Sequence, residues 1–297
     1  MTPLIVPMPG NELLAALLAQ HLNSDVCELE TRAFPDDETY IRLQRDPRGR
    51  SVIVVCTMDR PDSKFLPLIF AADNAKDLGA TKVSLIAPYL CYMRQDKRFH
   101  DGEAITSKSF ARQLSSAFDA LVTVDPHLHR HRNLAELYSI PTVVVHSAPL
   151  IAEWITRNEK QPVIIGPDAE SEQWVSEVAT LARAPYRVLN KERLGDADVK
   201  ITIPDLHGVK DRTAILVDDI VSSGRTMIDA ARQLRSEGFS APVCIAVHGL
   251  FSRRTEDAFR EVSSRLVTTN SIPHPTNEID LSALLAERYL QFTGQQV

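Results

Sequence analysis

The stretch Thr213-Ala214-Ile215-Leu216-Val217-Asp218-Asp219-Ile220-Val221-Ser222-Ser223-Gly224-Arg225-Thr226 decides how the rest of the chain is read. Ala214–Val217 is a continuous apolar run, as in a parallel strand buried on both faces. Two aspartates follow it, then a small polar turn, then helical spacing over Thr226–Glu237. The order is strand, polar turn, helix, and in open α/β sheets ligands bind outside the carboxyl ends of strands. Small residues let backbone wrap an anion, while hydroxyls and the helix N-terminus supply donors. The two carboxylates are wrong for a phosphate and suit the hydroxyls of a sugar, which donate to them. A plain turn with Ser222 or Ser223 as N-cap explains the serines but not the acids before them. No G-K-[ST] occurs here, so the loop is not a nucleotide P-loop.

Outward from this segment the same grammar repeats. Strands are expected at Leu4–Val6, Val52–Cys56, Val83–Ala87, Leu121–Val124, Thr142–His146, Val163–Ile165, Arg187–Leu189, Lys200–Ile203, Thr213–Val217 and Val243–Val247. Helices are expected at Asn11–Leu22, Lys64–Leu78, Ser107–Phe118, Leu150–Arg157, Ser171–Arg183, Thr226–Glu237 and Leu281–Leu290. Alternation of the two argues for α/β units around parallel sheets. Asn11 stands where an N-cap would, and Gly79 and Gly238 each close a helix before a strand. These matching helix–glycine–strand units hint at a duplicated architecture. A junction near Ser147–Pro149 gives two domains, 1–147 and 148–297.

The totals narrow the function classes. The 297 residues are 44% hydrophobic and 24% charged, ordinary for a globular chain able to bury a large core. The net charge of -6 comes without a lysine–arginine block, which argues against nucleic-acid binding. Cys27, Cys56, Cys91 and Cys244 are widely spaced, with no C-x-x-C pair, so neither a disulfide framework nor a zinc site is expected. No apolar run reaches the ~18 residues of a membrane span, and no signal peptide is apparent; a cytoplasmic location is expected.

Five more segments carry chemistry. Phe34-Pro35-Asp36-Asp37-Glu38 offers an aromatic ring to stack on a base and carboxylates to accept from an exocyclic amine. Pro88-Tyr89-Leu90-Cys91-Tyr92-Met93-Arg94-Gln95-Asp96-Lys97-Arg98 follows an expected strand, and Arg94 suits phosphate oxygens or an adenine face. Asp125-Pro126-His127-Leu128-His129-Arg130-His131 alternates histidines, a pattern that a transition-metal site would use with further ligands. Gly166-Pro167-Asp168-Ala169 and Asn190-Lys191-Glu192-Arg193 also follow strands, the latter presenting two cations together. Val247-His248-Gly249-Leu250-Phe251 reads as structural, with His248 a core histidine.

In this order the segments resemble those of the ribose-phosphate diphosphokinases. The ribose loop alone is shared with phosphoribosyltransferases. The likeness to F-x-[DN]-x-E, to P-Y-x-x-Y-x-R-Q-D-x-[KR] and to the family's catalytic K-x-R loop favours the diphosphokinase. It runs from Phe34 to Phe251 and implies two similar phosphoribosyltransferase-like α/β domains, each a mainly parallel sheet flanked by helices.

The resemblance implies transfer of the diphosphoryl group of ATP to the anomeric hydroxyl of ribose 5-phosphate, a phosphotransferase step in nucleotide biosynthesis. It implies ATP contacts at Phe34, Asp36, Glu38, Arg94, Gln95 and Asp96. It implies ribose 5-phosphate contacts at Asp218, Asp219, Ser222, Ser223, Gly224, Arg225 and Thr226. Lys191 and Arg193 would act on the transferred group, His127 and Asp168 on Mg²⁺, and a homo-oligomer is implied. The alternatives are a phosphoribosyltransferase and a non-catalytic regulatory homologue. Four features depart from the family pattern: Pro126 for leucine, the additional His129 and His131, Glu170 where glycine is usual, and Arg225 for a small residue. The last makes the ribose loop closer to the archaeal-type and transferase-type form.

Overall fold

The computed structural model describes residues 2–128, 130–193, 199–202 and 208–294, with backbone alone at 170, 173, 190–193 and 199–202. The chain divides into two compact units, one running to Val145 and resuming at Leu281, the other comprising His146–Asp280.

The first unit contains β1 (Leu4–Pro7), α1 (Glu12–Leu22), β2 (Asp25–Val26), β3 (Leu29–Ala33), β4 (Thr39–Leu43), β5 (Ser51–Val55), α2 (Asp62–Asp77), β6 (Lys82–Ala87), α3 (Thr106–Ala117), β7 (Ala120–Val124) and β8 (Thr142–Val145). Its six-stranded sheet has the order β2-β1-β5-β6-β7-β8 and is parallel throughout. The central strands carry the continuous Val/Ile/Leu runs and are almost wholly buried, as a sheet covered on both faces requires.

The second unit contains α4 (Ala148–Asn158), β9 (Pro162–Gly166), α5 (Glu172–Ala182), β10 (Tyr186–Val188), β11 (Asn190–Arg193), β12 (Val199–Thr202), β13 (Thr213–Val221), α6 (Arg225–Ser236), β14 (Val243–Gly249), α7 (Arg253–Val262), β15 (Arg265–Thr269) and β16 (Asn277–Ile279). The sheet order β10-β9-β13-β14-β15-β16 repeats the pattern of the first unit, again all parallel. Each unit also carries an antiparallel two-stranded ribbon, β3–β4 or β11–β12, inserted at the same place in the order. Two similar α/β domains are therefore present.

The remaining element, α8 (Ser282–Thr293), does not stay with the domain that precedes it. It packs on α1 and β8, with Leu285, Ala286 and Tyr289 buried. The expected division 1–147 and 148–297 thus differs from the compact units at both ends. The junction falls between Val145 and His146, and the last segment belongs with the first unit because its apolar face is buried there.

Several local expectations also shift. Asn11 occupies the N-cap position of α1, yet its side chain does not cap. Its Oδ1 accepts from the Thr57 amide at 2.8 Å and its Nδ2 donates to the Met8 carbonyl at 3.2 Å. The strand after Thr213 does not stop at Val217. It continues through both aspartates to Val221, in register with β14 as far as the pair Val221–Gly249.

Candidate active site

At the acidic strand end, the site grows from unequal strand lengths. The last pair between β9 and β13 is Ile165 with Leu216, and β13 runs on past it to Val221. Past that pair, two successive backbone amides of β13 donate to side-chain carboxylates. The Asp219 amide donates to Asp218 Oδ1 at 3.0 Å, and the Ile220 amide donates to Asp219 Oδ1 at 2.7 Å.

Beyond β9 the chain turns through Gly166-Pro167-Asp168. Ser171 Oγ donates to the Asp168 carbonyl at 2.6 Å, and a Cβ on Gly166 would lie 2.4 Å from that same hydroxyl. Glycine is therefore required for the turn that carries Asp168. Three carboxylates meet electrostatically in this region. Burial, then the charges of Asp219 and Asp168, hold the Asp218 carboxyl well above the usual carboxylate range.

After β13, Ser222 and Ser223 lead to Gly224, which has φ 70° and serves as the N-cap position of α6. A Cβ there would lie 2.7 Å from Thr255 Cγ2 and 2.8 Å from the Phe259 ring, so conformation and space both select glycine. Gly224 has no side chain to cap α6, and Ser223 Oγ accepts from the Arg225 amide at 3.5 Å. Gly224, rather than Ser222 or Ser223, holds the N-cap position, and the dipole of this helix end favours an anion. Arg225, the first residue of α6, is exposed.

The segments expected to meet the nucleotide all fall in the first unit. Phe34–Glu38 is the tip of the β3–β4 ribbon, closed by the Phe34 amide donating to the Glu38 carbonyl at 2.7 Å. Asp37 takes the left-handed conformation, φ 66°, that ends such three-residue loops. Phe34 is 39% exposed and stands edge-on to Tyr40, with ring centroids 6.3 Å apart. Arg32 was not singled out in the sequence. Its guanidinium carbon lies 4.6 Å from the Phe34 ring and 4.4 Å from the Tyr40 ring.

Arg94, Gln95 and Asp96 lie between β6 and α3. Arg94 is exposed. Gln95 is fixed from both ends: the Thr106 hydroxyl donates to its Oε1 at 3.2 Å, and the Ser107 amide donates to its carbonyl at 3.3 Å. Tyr92, at φ 61°, donates its hydroxyl to Asp62 at the start of α2. That bond leads the causes that push the tyrosine up to about 12. Asp96 is buried, and its carboxylate is engaged by Arg130.

After β7 the chain makes a tight turn in which the His127 amide donates to the Asp125 carbonyl at 2.9 Å across Pro126. Proline's fixed φ suits the centre of such a three-residue turn. Asp125 and His127 both have positive φ, 32° and 44°. His131 Nδ1 pairs with Glu136 at 2.9 Å, which leads the causes lowering the Glu136 carboxyl.

Some expected residues lie outside this description. His129 is outside the described residues, as are the side chains of Glu170, Lys191 and Arg193. The backbone of Lys191 and Arg193 lies on β11, opposite Ile201 and Val199 of β12. His248 is a core histidine as read, buried with Nδ1 2.9 Å from Ser271 Oγ. Among the described residues no group of three or more His, Cys, Asp or Glu is gathered as a metal cage. The donors near Asp168 are carboxylate oxygens, which fit a hard divalent cation such as Mg²⁺ that takes much of its shell from water and phosphate.

The family model for the N-terminal domain of ribose phosphate pyrophosphokinase matches residues 4–117, and that for the phosphoribosyl transferase domain matches residues 133–282. The chain is 31% identical over 296 residues to the ribose-phosphate pyrophosphokinase of Methanobrevibacter smithii, covering 95% of this chain and 98% of that one. It is 34% identical over 289 residues to that of Methanothermobacter thermautotrophicus, covering 96% and 99%. The crystal structure of phosphoribosylpyrophosphate synthetase from Mycobacterium smegmatis shares the fold, with TM-score 0.85 at 24% identity over 98% of this chain and 99% of that one. Full-length similarity, paired domains and an acidic strand end leading into a helix converge: this chain belongs to the ribose-phosphate pyrophosphokinase family.

Proposed function

We propose that the chain transfers the β,γ-diphosphoryl group of ATP to the anomeric oxygen of ribose 5-phosphate, releasing AMP and 5-phosphoribosyl 1-diphosphate. The observation that carries this is the end of β13: Asp218 and Asp219 stand one turn before the N-terminus of α6. In this reading Asp218 and Asp219 accept from ribose hydroxyls. Ser222, Ser223, Gly224, Arg225 and Thr226 take the 5-phosphate. Backbone and hydroxyl donors serve the anion, and the carboxylates stay with the sugar.

On the nucleotide side, Phe34 offers its ring to the base, while Asp36 and Glu38 accept from donor groups. Arg94 pairs with phosphate oxygens, and Gln95, held by Thr106 and Ser107, presents a fixed amide. Asp96 belongs to the same loop. Lys191 and Arg193, two positions apart on β11, would offset the charge that develops on the transferred group. In the step itself, the O1–Pβ bond forms, the Pα–O–Pβ bridge breaks on the β side, and the bridging oxygen leaves with AMP. The O1 proton is released. No general base is assigned, since phosphoryl transfer depends chiefly on positioning and charge.

Asp168 and His127 are the residues proposed for Mg²⁺, which when bound would neutralise phosphate charge. A homo-oligomeric, cytoplasmic enzyme remains the reading taken from the sequence; no helix among the described residues is long and apolar enough to cross a membrane.

The test is direct. Incubation with Mg-ATP and ribose 5-phosphate should yield one AMP per 5-phosphoribosyl 1-diphosphate, with none when the sugar phosphate is omitted. Release of ADP instead, or no nucleotide conversion with any nucleoside triphosphate, would remove the reading.

A further inference from the structure

Asp96 is 8% exposed, and both its carboxylate oxygens accept from Arg130 Nη1, at 2.9 and 3.1 Å. A buried carboxylate is costly unless paired, so this ion pair is a condition of the local fold. The partners are distant in sequence. Asp96 follows Arg94 and Gln95 between β6 and α3, whereas Arg130 stands three residues after His127, beyond β7. Each side also contains backbone in sparsely populated conformations, at Tyr92 on one and at Asp125 and His127 on the other. Such residues persist where surrounding contacts over-determine them. The pair is one such contact, and it spans both loops.

We infer that Arg130 is a positioning residue, and that Asp96 acts through it rather than on the nucleotide. The ion pair fixes the Arg94–Gln95 loop against the His127 loop so that both address one Mg-ATP. The chemistry agrees. An anionic triphosphate is repelled by a second carboxylate, and Asp96 already has both oxygens engaged. Arg130 is further steadied over the Phe99 ring, 5.7 Å from its centroid. The inference rests on the nucleotide-side reading given above.

Four variants test it: R130A, R130K, D96N and the double variant R130A/D96N. Mg-ATP affinity is measured by calorimetry without sugar phosphate, alongside KM values from AMP release and melting temperature. R130A should weaken ATP by about tenfold, the scale of loss expected from misplaced binding groups, and leave the KM for ribose 5-phosphate within about twofold. R130K, which keeps a charge opposite the carboxylate but loses the planar group over Phe99, should weaken ATP less than R130A does. Adding D96N to R130A should cost less than a further ~2-fold in ATP affinity and should recover part of the melting temperature, because it removes the orphaned buried charge.

Multiplying losses in the double variant would mean that Asp96 touches the nucleotide itself, and the inference fails. Unchanged ATP affinity in R130A also overturns it. A wild type that binds Mg-ATP but makes no AMP sinks the proposed reaction alone, since the affinities still judge the clamp. A wild type that binds no Mg-ATP sinks both.

Discussion

Asp218 has one carboxylate oxygen committed to the Asp219 amide, in a half-buried position shared with the charges of Asp219 and Asp168. Its raised carboxyl means that the ligand-free fold bears a penalty whenever the group is ionised. The penalty applies above the folded-state pKa and fades as pH falls through it toward the ordinary aspartate range of about 3.9. D218N should therefore melt at a higher temperature than wild type at neutral pH, by on the order of 1 kcal/mol. The advantage should vanish near pH 4. The same variant should lose affinity for ribose 5-phosphate, because an amide nitrogen cannot accept from the sugar. Melting curves across pH with a ribose 5-phosphate titration check both; a destabilised D218N at pH 7 would refute the electrostatic account. The acids were legible in sequence because they end an apolar run. Arg130 was not, since nothing local to its sequence position signals a partner 34 residues away. Arg32 was missed for a related reason: a lone arginine gains meaning only when Phe34 and Tyr40 converge on it.

At the scale of elements, α6 presents a conflict with a diagnostic value. Cations are unfavourable at the N-terminus of a helix, yet Arg225 is its first residue, directly after a glycine N-cap. A bound phosphate would resolve that conflict. R225A should stabilise the ligand-free protein by about 0.3–1 kcal/mol by relieving the dipole. It should also raise the KM for ribose 5-phosphate about tenfold, with the KM for ATP unchanged, if the guanidinium pairs with the phosphate. An R225A enzyme with unaltered KM for the sugar phosphate would place the side chain in solvent. The elements that sequence reading found are those with long apolar runs or clear helical spacing. It missed β3 and β4, whose residues are mostly half-exposed and give no continuous apolar run. It also missed α7, where Phe259 and Val262 are the buried residues among many charged ones, and the short strands β15 and β16. The ribbons and the edge strand β16 lack the doubly buried environment that makes a parallel strand readable, and β15, though interior, has only Leu266 and Val267 as apolar residues.

At the scale of the molecule, the two domains follow one plan, and the terminal helices show how the chain completes it. In the second unit α4 precedes the sheet and packs on α5 and β16; in the first, α8 packs on α1 and β8, the elements equivalent in topological order. The first unit thus takes from the end of the chain the helix that the second takes from the segment just before β9. A sequence cut at one internal junction could not express this, because helical spacing at Leu281–Leu290 tells that a face is apolar and not which sheet will cover it. Tyr289 makes the assignment testable. It is 1% exposed in the first unit, and that burial raises its phenol. Y289A should cost about 3–5 kcal/mol, as large aromatic truncations in cores do. Hydrogen exchange should then locate the loss: amides of β1, α1, β6 and β8 should lose protection, while β9, β13 and β14 keep theirs. Protection lost instead from β13 and β14 would return α8 to the second domain, and the division of the chain with it.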